Sequence, residues 1–216
     1  MEIKTIDRGG TSAATQDVRR EERRRAILDA AEALFLEQGV ARVSLATIIR
    51  RSGGSLATAY ELFGNKHGLL RAVIERDKCE RQAEFDELVE HTESAAEILR
   101  GLTRRILEIV LQPRQAAMLR IVISESISDP EFARSFYREI HLGRVEHLAQ
   151  IFRRWNADGR ARFDDPEAAA ELYLDMVVGD FELEALIGDA MRRSGESITE
   201  RMDWRLAIFI DHFKVK

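Results

Sequence analysis

The sequence predicts an all-α protein in two parts: an N-terminal unit built on three small helices, then a longer helical remainder, about nine helices in all. Three observations carry this prediction. Apolar residues recur at helical spacing from Ile27 to Phe213. Between those stripes stand helix boundary signals, with Ser, Asp or Pro at starts and Gly or Asn at ends. Only three prolines, Pro113, Pro130 and Pro166, punctuate 216 residues, so long helices are permitted almost throughout.

The first stripe, Ile27, Ala30, Ala31, Leu34 and Phe35, follows the i, i+3, i+4, i+7, i+8 pattern of one helix face, and Gly39 stops it. Ser44 caps a second, short helix to about Arg51, Gly53-Gly54 makes a tight turn, and Ser55 caps a third over about 56–62. Gly64-Asn65 breaks it. A fourth helix starts near Lys66 with Leu69, Leu70, Val73 and Ile74 inward. Ser94-Ala95-Ala96-Glu97 is a capping box for a helix to about Val110, and Pro113 opens another to about Ile127. Within it Ile121-Val122-Ile123 could pass for a strand, but no partner strand exists and buried helix is preferred. Ser128-Asp129-Pro130 starts a single helix carrying Phe132, Phe136, Ile140, Leu148, Phe152 and Trp155, closed by Asn156 to Gly159. Asp165-Pro166 starts the next, and Ser197-Ile198-Thr199-Glu200 is a second capping box for the last.

Composition narrows the classes. The apolar share of 45 % is enough for a core. No apolar run approaches the ~20 residues of a membrane span, and the start lacks the layout of a signal peptide. A single cysteine, Cys79, excludes an internal disulfide, so a cytoplasmic protein is expected. The net charge of −5 hides an asymmetry: residues 1–66 carry a net of +2 and the remainder −7. That suits a small DNA-binding head on a body that does not bind DNA. Arg19, Arg20, Arg23, Arg24 and Arg25, interleaved with Glu21 and Glu22, read either as a solvated helix start with internal ion pairs or as an arm contacting phosphates.

Three short helices with a glycine turn before the third form a helix-turn-helix layout, whose last helix enters the major groove. The turn needs positive φ, supplied by Gly53. The crossing needs apolar residues, and Leu45, Ile48, Ile49 and Ala59 are available. The stretch from Arg25 to Ile74 resembles the DNA-binding domain of the tetracycline-repressor (TetR/AcrR) family. The resemblance rests on Ile27, Ala30-Ala31, Leu34-Phe35, Gly39, Ser44, Ile48, Gly53, Ser55, Thr58, Tyr60, Phe63, Asn65-Lys66 and Leu69-Leu70, spaced without a gap. More loosely, Arg120 to Glu125, Phe132 to Tyr137 and Asp164 to Glu167 resemble one group of that family's C-terminal domains. Departures are Ala57 where Gly is frequent, Ala59 where Leu or Ile is usual, and Ile49 where Ala is usual. The last two suggest compensation, a larger residue on the second helix filling the space left by a smaller one on the third.

Residues 1–18, which mix Gly9-Gly10, Ser, Thr and Ala with no apolar period, are expected to be a disordered tail, and the resemblance implies a helix-turn-helix domain (19–66) and a ligand-binding and dimerisation domain (67–216). It carries DNA contact onto Ser44, Ala46, Thr47, Ser55, Leu56, Ala57, Thr58, Tyr60, Glu61 and Lys66. Leu56 and Ala57 can touch only thymine methyls, Thr58, Tyr60 and Lys66 suit phosphates, and Glu61 suits a cytosine amine or an ion pair with a nearby arginine. Arg42, Arg50 and Arg51 are spare cations.

In this family the last two helices pair with their copies, which points to Leu172, Val177, Phe181, Leu206, Phe209 and Phe213 as a homodimer interface, though such stripes also serve a core. The middle helices enclose a pocket, for which Phe85, Leu88, Met118, Val122, Phe136, Tyr137 and Met176 are apolar candidates and Glu125 and His141 polar anchors. The implied function is a repressor that binds a palindromic operator as a dimer and is released by a small apolar or aromatic effector.

An enzyme is not expected: the five histidines show no metal spacing, and no phosphate loop or nucleophile elbow occurs. No cofactor or metal is expected. Two alternatives stay open, a thiol sensor through Cys79 and a helical protein-binding module. The first is weakened because a lone helical cysteine is usually inert.

Overall fold

A computed structural model of the chain describes residues 10–187 and 198–216, with side chains over 16–179 and 200–216. Every regular element among the described residues is helical: α1 (Gly10–Gln38), a 3-10 turn (Val40–Arg42), α2 (Leu45–Ser52), α3 (Leu56–Phe63), α4 (Lys66–His91), α5 (Ala95–Val110), α6 (Pro113–Ser128), α7 (Pro130–Phe136), a π turn (Tyr137–His141), α8 (Leu142–Ala157), α9 (Pro166–Ile187) and α10 (Ile198–His212). With α7, the π turn and α8 counted as one rod, these are the nine helices that the periodicity predicts. The capping box beginning at Ser197 lies outside the described residues, as does the side chain of Phe181 on α9.

The chain divides into two compact units, 1–76 and 77–216. In the first, Ile27, Leu28, Ala31, Leu34 and Phe35 of α1 are buried, as are Ile48 of α2, Ala59 of α3, and Leu69, Leu70 and Val73 of α4. That burial explains why the division falls ten residues beyond the expected boundary at 66: the first half of α4 belongs to the head's core. Arg76 fixes it there, its guanidinium 2.6 Å from both Asp29 Oδ1 and Glu32 Oε2 of α1. At the other end α1 begins at Gly10, inside the segment 1–18 read from sequence as a tail. Residues 11–18 contain neither Gly nor Pro, so nothing local stops the helix before Gly9-Gly10.

The second unit is centred on an aromatic and aliphatic core from α5, α8, α9 and α10. Phe152 stacks on Phe163 with centroids 4.1 Å apart, and Phe163 meets Phe213 at 4.9 Å. Trp155, Tyr173, Ile98 and Leu99 are fully buried around them. Tyr173 donates its hydroxyl to the Leu99 carbonyl (3.1 Å) and shares a hydrogen bond with Thr103 Oγ1 (2.8 Å). Burial pushes its phenol well above the usual range. Asn156 ends α8 as expected and also clasps the following loop, its amide bonding both the N–H and the C=O of Phe163 at 2.8 Å. Asp129 and Asp165 cap α7 and α9 ahead of their first-turn prolines.

The helix expected to run unbroken from Pro130 carries the π turn. Its extra residue is visible in the spacing of the inward positions: buried Phe132, half-buried Phe136 and buried Ile140 step by four, but Ile140 to buried Val145 steps by five. The wider turn absorbs the extra residue within a continuous helical rod.

Candidate nucleic-acid interface

The geometry of the head follows from two short helices and their caps. Ser44 and Ser55 each adopt extended backbone and accept a hydrogen bond from the N–H three residues on, Thr47 and Thr58, at 3.1 Å. Each serine Oγ also lies 2.9 Å from that threonine's Oγ1. The tetrapeptide Ser-Leu-Ala-Thr thus occurs twice, at 44–47 and 55–58, and starts both helices in the same way. Sequence reasoning missed this duplication although it is legible in the residues. Between the helices Gly53 (φ 77°) and Gly54 (φ 106°) take the left-handed conformations the turn requires.

The residues expected to face DNA gather at these two starts. Ala46, Ser55, Leu56, Ala57, Tyr60 and Glu61 are exposed, and Thr47 and Thr58 are half-buried. Ser44 and Ser55 have a structural task as caps. Glu61 pairs with Arg20 of α1 at 3.7 Å, the ion pair that the sequence offered as an alternative to a cytosine contact. Lys66 is engaged elsewhere than on a free surface: its Nζ donates to the carbonyls of Val40 (2.6 Å) and Ala41 (3.4 Å). Arg51, expected as a spare cation, forms a two-pronged pair with Glu37 at 2.9 and 3.0 Å, which raises its own pKa and lowers that of Glu37. Arg50 reaches Thr47 Oγ1 at 3.4 Å.

At the start of α4, Asn65 accepts from the Gly68 N–H at 2.8 Å. Gly68 lies so close to the Phe63 carbonyl that a Cβ there would overlap it. Sequence reading attached no role to Gly68, whose constraint comes from the α3–α4 turn.

In the second unit the ligand-lining candidates separate into three groups. Phe85, Met118 and Val122 are buried, and Leu88 and Met176 are partly buried against the core. Glu125, Phe136 and His141 are half-buried. Tyr137 is turned to solvent, one position off the face of Phe132, Phe136 and Ile140, with its ring stacked on His141 at 5.0 Å. The dimer candidates divide as well. Val177, Leu206 and Phe209 are buried within the unit's own core, and Phe213 is half-buried against Phe163 and Phe209. Leu172 on α9 is 52 % exposed, and so are two residues of α10 that sequence reading passed over, Trp204 (67 %) and Ile208 (51 %). Cys79 is exposed on α4. Among the described residues no group of His, Cys, Asp and Glu could hold a metal ion, and no helix is long and apolar enough to cross a membrane.

A glycine turn between two capped eight-residue helices, the second presenting its first turn outward, defines a helix-turn-helix regulator that binds DNA. Comparison with known proteins agrees. Residues 27–73 match the model of the bacterial regulatory proteins of the tetR family, and residues 97–215 that of the C-terminal domain of AefR-like transcriptional repressors. The HTH-type transcriptional regulator UidR of Escherichia coli K12 is 27 % identical over 176 residues, covering 78 % of this chain and 86 % of that protein. Among solved structures, a TetR-family regulator assignment from Mesorhizobium loti superposes with a TM-score of 0.77 at 21 % identity, covering 90 % of this chain and 98 % of that one. The flavonoid-responsive regulator FrrA gives 0.61 at 28 % identity, covering 88 % and 96 %. The chain belongs to the TetR family of transcription regulators. It is a regulator and not an enzyme.

Proposed function

We propose that this chain is a ligand-responsive repressor, resident in the cytoplasm, that binds a palindromic operator as a homodimer and is released by a small apolar or aromatic effector. The observation that carries the reading is the outward first turn of α3, where Leu56, Ala57 and Tyr60 are exposed at the start of a capped helix. Leu56 and Ala57 offer methyl groups to thymine, and Tyr60 and Thr58 offer hydroxyls to phosphate. So few base contacts per head favour a dimer reading two half-sites, ~34–36 Å apart. The exposed apolar set Leu172, Trp204 and Ile208 on α9 and α10 supports dimerisation through those helices. FrrA, by its name responsive to flavonoids, supports an aromatic effector.

Release follows if the effector favours a dimer whose heads no longer match successive major grooves. The experiment is fluorescence anisotropy of the purified protein with palindromic DNA from upstream of its own gene, at two salt concentrations. Tight, selective binding that weakens steeply with salt is the expected result. Affinity no better than for random DNA would overturn the operator reading.

A further inference from the structure

The reading helix carries no cation of its own. Residues 56–63 of α3 contain neither Lys nor Arg, and their one charged side chain is the carboxylate of Glu61. Two cations of the head are committed to protein, Arg51 to Glu37 and Lys66 to the Val40 and Ala41 carbonyls. Attraction to DNA depends on cations that neutralise phosphates. The excess of such cations lies in the amino-terminal part of α1. Residues 16–25 hold five arginines against three acids, an excess of two that equals the whole net charge of residues 1–66.

Helical register places part of this charge beside α3. The inward stripe of α1, with Ile27, Ala31 and Leu34, continues toward the amino terminus at Arg24, Arg23 and Arg20. Arg20 Nη2 lies 3.7 Å from Glu61 Oε1, and Arg20, Arg24 and Leu62 of α3 line one shallow groove. Arg23 lies over the turn between α2 and α3, where a Cβ on Gly54 would come within 2.7 Å of its Nη1. Gly54 immediately precedes Ser55, the cap of α3. The two arginines therefore border α3 at its start and along its second turn, next to exposed Leu56, Ala57 and Tyr60. Arg25, also exposed, falls two residues before Ile27 and so on the other side of α1.

The Arg20–Glu61 pair is open to water on both sides, its side chains 65 % and 72 % exposed, and a pair of that kind contributes little to stability. It holds Arg20 against α3 at little cost to a change of partner. We propose that the amino-terminal part of α1 is a second DNA-contacting element of the head: Arg20 and Arg23 take phosphates of the duplex that α3 enters, and Glu61 is the counter-charge that holds Arg20 in place until a phosphate replaces it. A guanidinium presents a fork of donors that fits phosphate oxygens. Contacts of this kind position the head and carry no sequence information. The assignment deepens the DNA-binding reading above and rests on it.

The test is fluorescence anisotropy of the full-length protein on operator and on random duplex across a range of salt concentrations. Arg20→Gln and Arg23→Gln should each weaken binding to both duplexes by about threefold to tenfold and lower the slope of log K against log salt by about one for each head. Arg20→Lys, which keeps the charge, should retain the wild-type slope. Arg25→Gln makes the same change of net charge on the far side of α1 and should leave the slope unchanged. Glu61→Gln separates phosphate contact from a brace: it should bind as tightly as the wild type or more tightly, because Arg20 is set free. Thermal melts of these exposed-site variants should stay within about 2 °C of the wild type. Three results overturn the proposal: Glu61→Gln weakening binding as much as Arg20→Gln, Arg25→Gln lowering the slope as much as the other two, or Arg20→Gln and Arg23→Gln keeping the wild-type slope. The two duplexes keep this assignment apart from the operator reading. A wild type that prefers neither duplex, yet loses slope with Arg20 and Arg23, supports the phosphate contacts and overturns operator selectivity. A selective wild type whose slope ignores both arginines does the reverse, and no binding to either duplex overturns both.

Discussion

Leu45 and Leu56 hold the same place in the two copies of Ser-Leu-Ala-Thr, yet Leu45 is 8 % exposed and Leu56 39 %. One tetrapeptide does two jobs. In α2 the leucine locks the helix into the head, and in α3 it stands at the start of the helix offered to DNA. Leu45→Ala should cost about 2–5 kcal/mol, the usual range for a buried leucine. Leu56→Ala should shift stability by only about 0.5 kcal/mol while weakening operator binding by about 1 kcal/mol or more, with binding to random DNA unchanged. Urea melts and anisotropy on the two variants check this. A Leu56→Ala protein that melts like Leu45→Ala, or that binds operator normally, removes Leu56 from the reading surface.

Lys66 illustrates how a cation beside a DNA-binding helix can be committed to the fold. Its amine bonds the Val40 and Ala41 carbonyls, tying the start of α4 to the 3-10 turn. Lys66→Met should lose about 1.5 kcal/mol, the lower end for a charged hydrogen bond at a half-buried site. It should leave the salt dependence of operator binding untouched. A fall of about one in the slope of log K against log salt would instead mean that Lys66 leaves Val40 for a phosphate in the complex.

What could be read from the chain, and what could not, divides on physical grounds. The caps Ser44, Ser55, Asp129 and Asp165 and the turn glycine Gly53 were legible because capping and positive φ are local chemistry. The all-α fold was legible because its periodicity is strong. The split between Leu206, buried, and Ile208, exposed, was not, since a stripe says that a face is apolar and not what covers it. Trp204 and Ile208 do form a second stripe at i, i+4, a signal that was available. The contact in which Gln115 of α6 accepts from Arg81 of α4 had no local signature, because the two residues are far apart in sequence and meet only in the fold.

The pair Ile49 and Ala59 provides a test of compensation across α2 and α3. Both are buried, Ile49 on α2 and Ala59 on α3. Ile49→Ala opens a cavity and Ala59→Leu overpacks, each costing about 1–3 kcal/mol alone. Together they should recover most of the loss, giving a coupling of about 1 kcal/mol or more in a double-mutant cycle. Strict additivity of the three variants would show that the two side chains do not share a space.

Gly68 and Gly101 should respond differently to the same substitution. A Cβ at Gly68 overlaps the Phe63 backbone carbonyl, whereas at Gly101 it meets only the tip of the Leu88 side chain at 3.0 Å. Backbone in a tight turn yields less than a leucine rotamer. Gly68→Ala should therefore lower stability by about 1–3 kcal/mol. Gly101→Ala gains up to about 1 kcal/mol of helix propensity, which offsets the displacement of Leu88. Thermal melts rank the two, and a Gly68→Ala protein as stable as Gly101→Ala would mean that the α3–α4 turn relaxes freely.

Trp204 lies on α10 one helical turn before Ile208, both exposed, on a face distinct from that of Met202, Leu206 and Phe209, which the unit's own core consumes. A large indole left in water loses the burial energy available to it, about 25 cal/mol for each square ångström of apolar surface. A second copy presenting the same face recovers that energy symmetrically, as a two-fold interface requires. Trp204→Glu places a charge in that face on each chain, so the proposed dimer should dissociate while each chain keeps its fold, Leu206 and Phe209 being untouched. Sedimentation velocity should show a single species of half the wild-type mass with unchanged helical circular dichroism. Operator affinity should fall steeply, because one head reads only one half-site. A Trp204→Glu protein that stays dimeric would move the interface off this face of α10, and one that turns monomeric yet binds operator as tightly as wild type would remove the need for two heads.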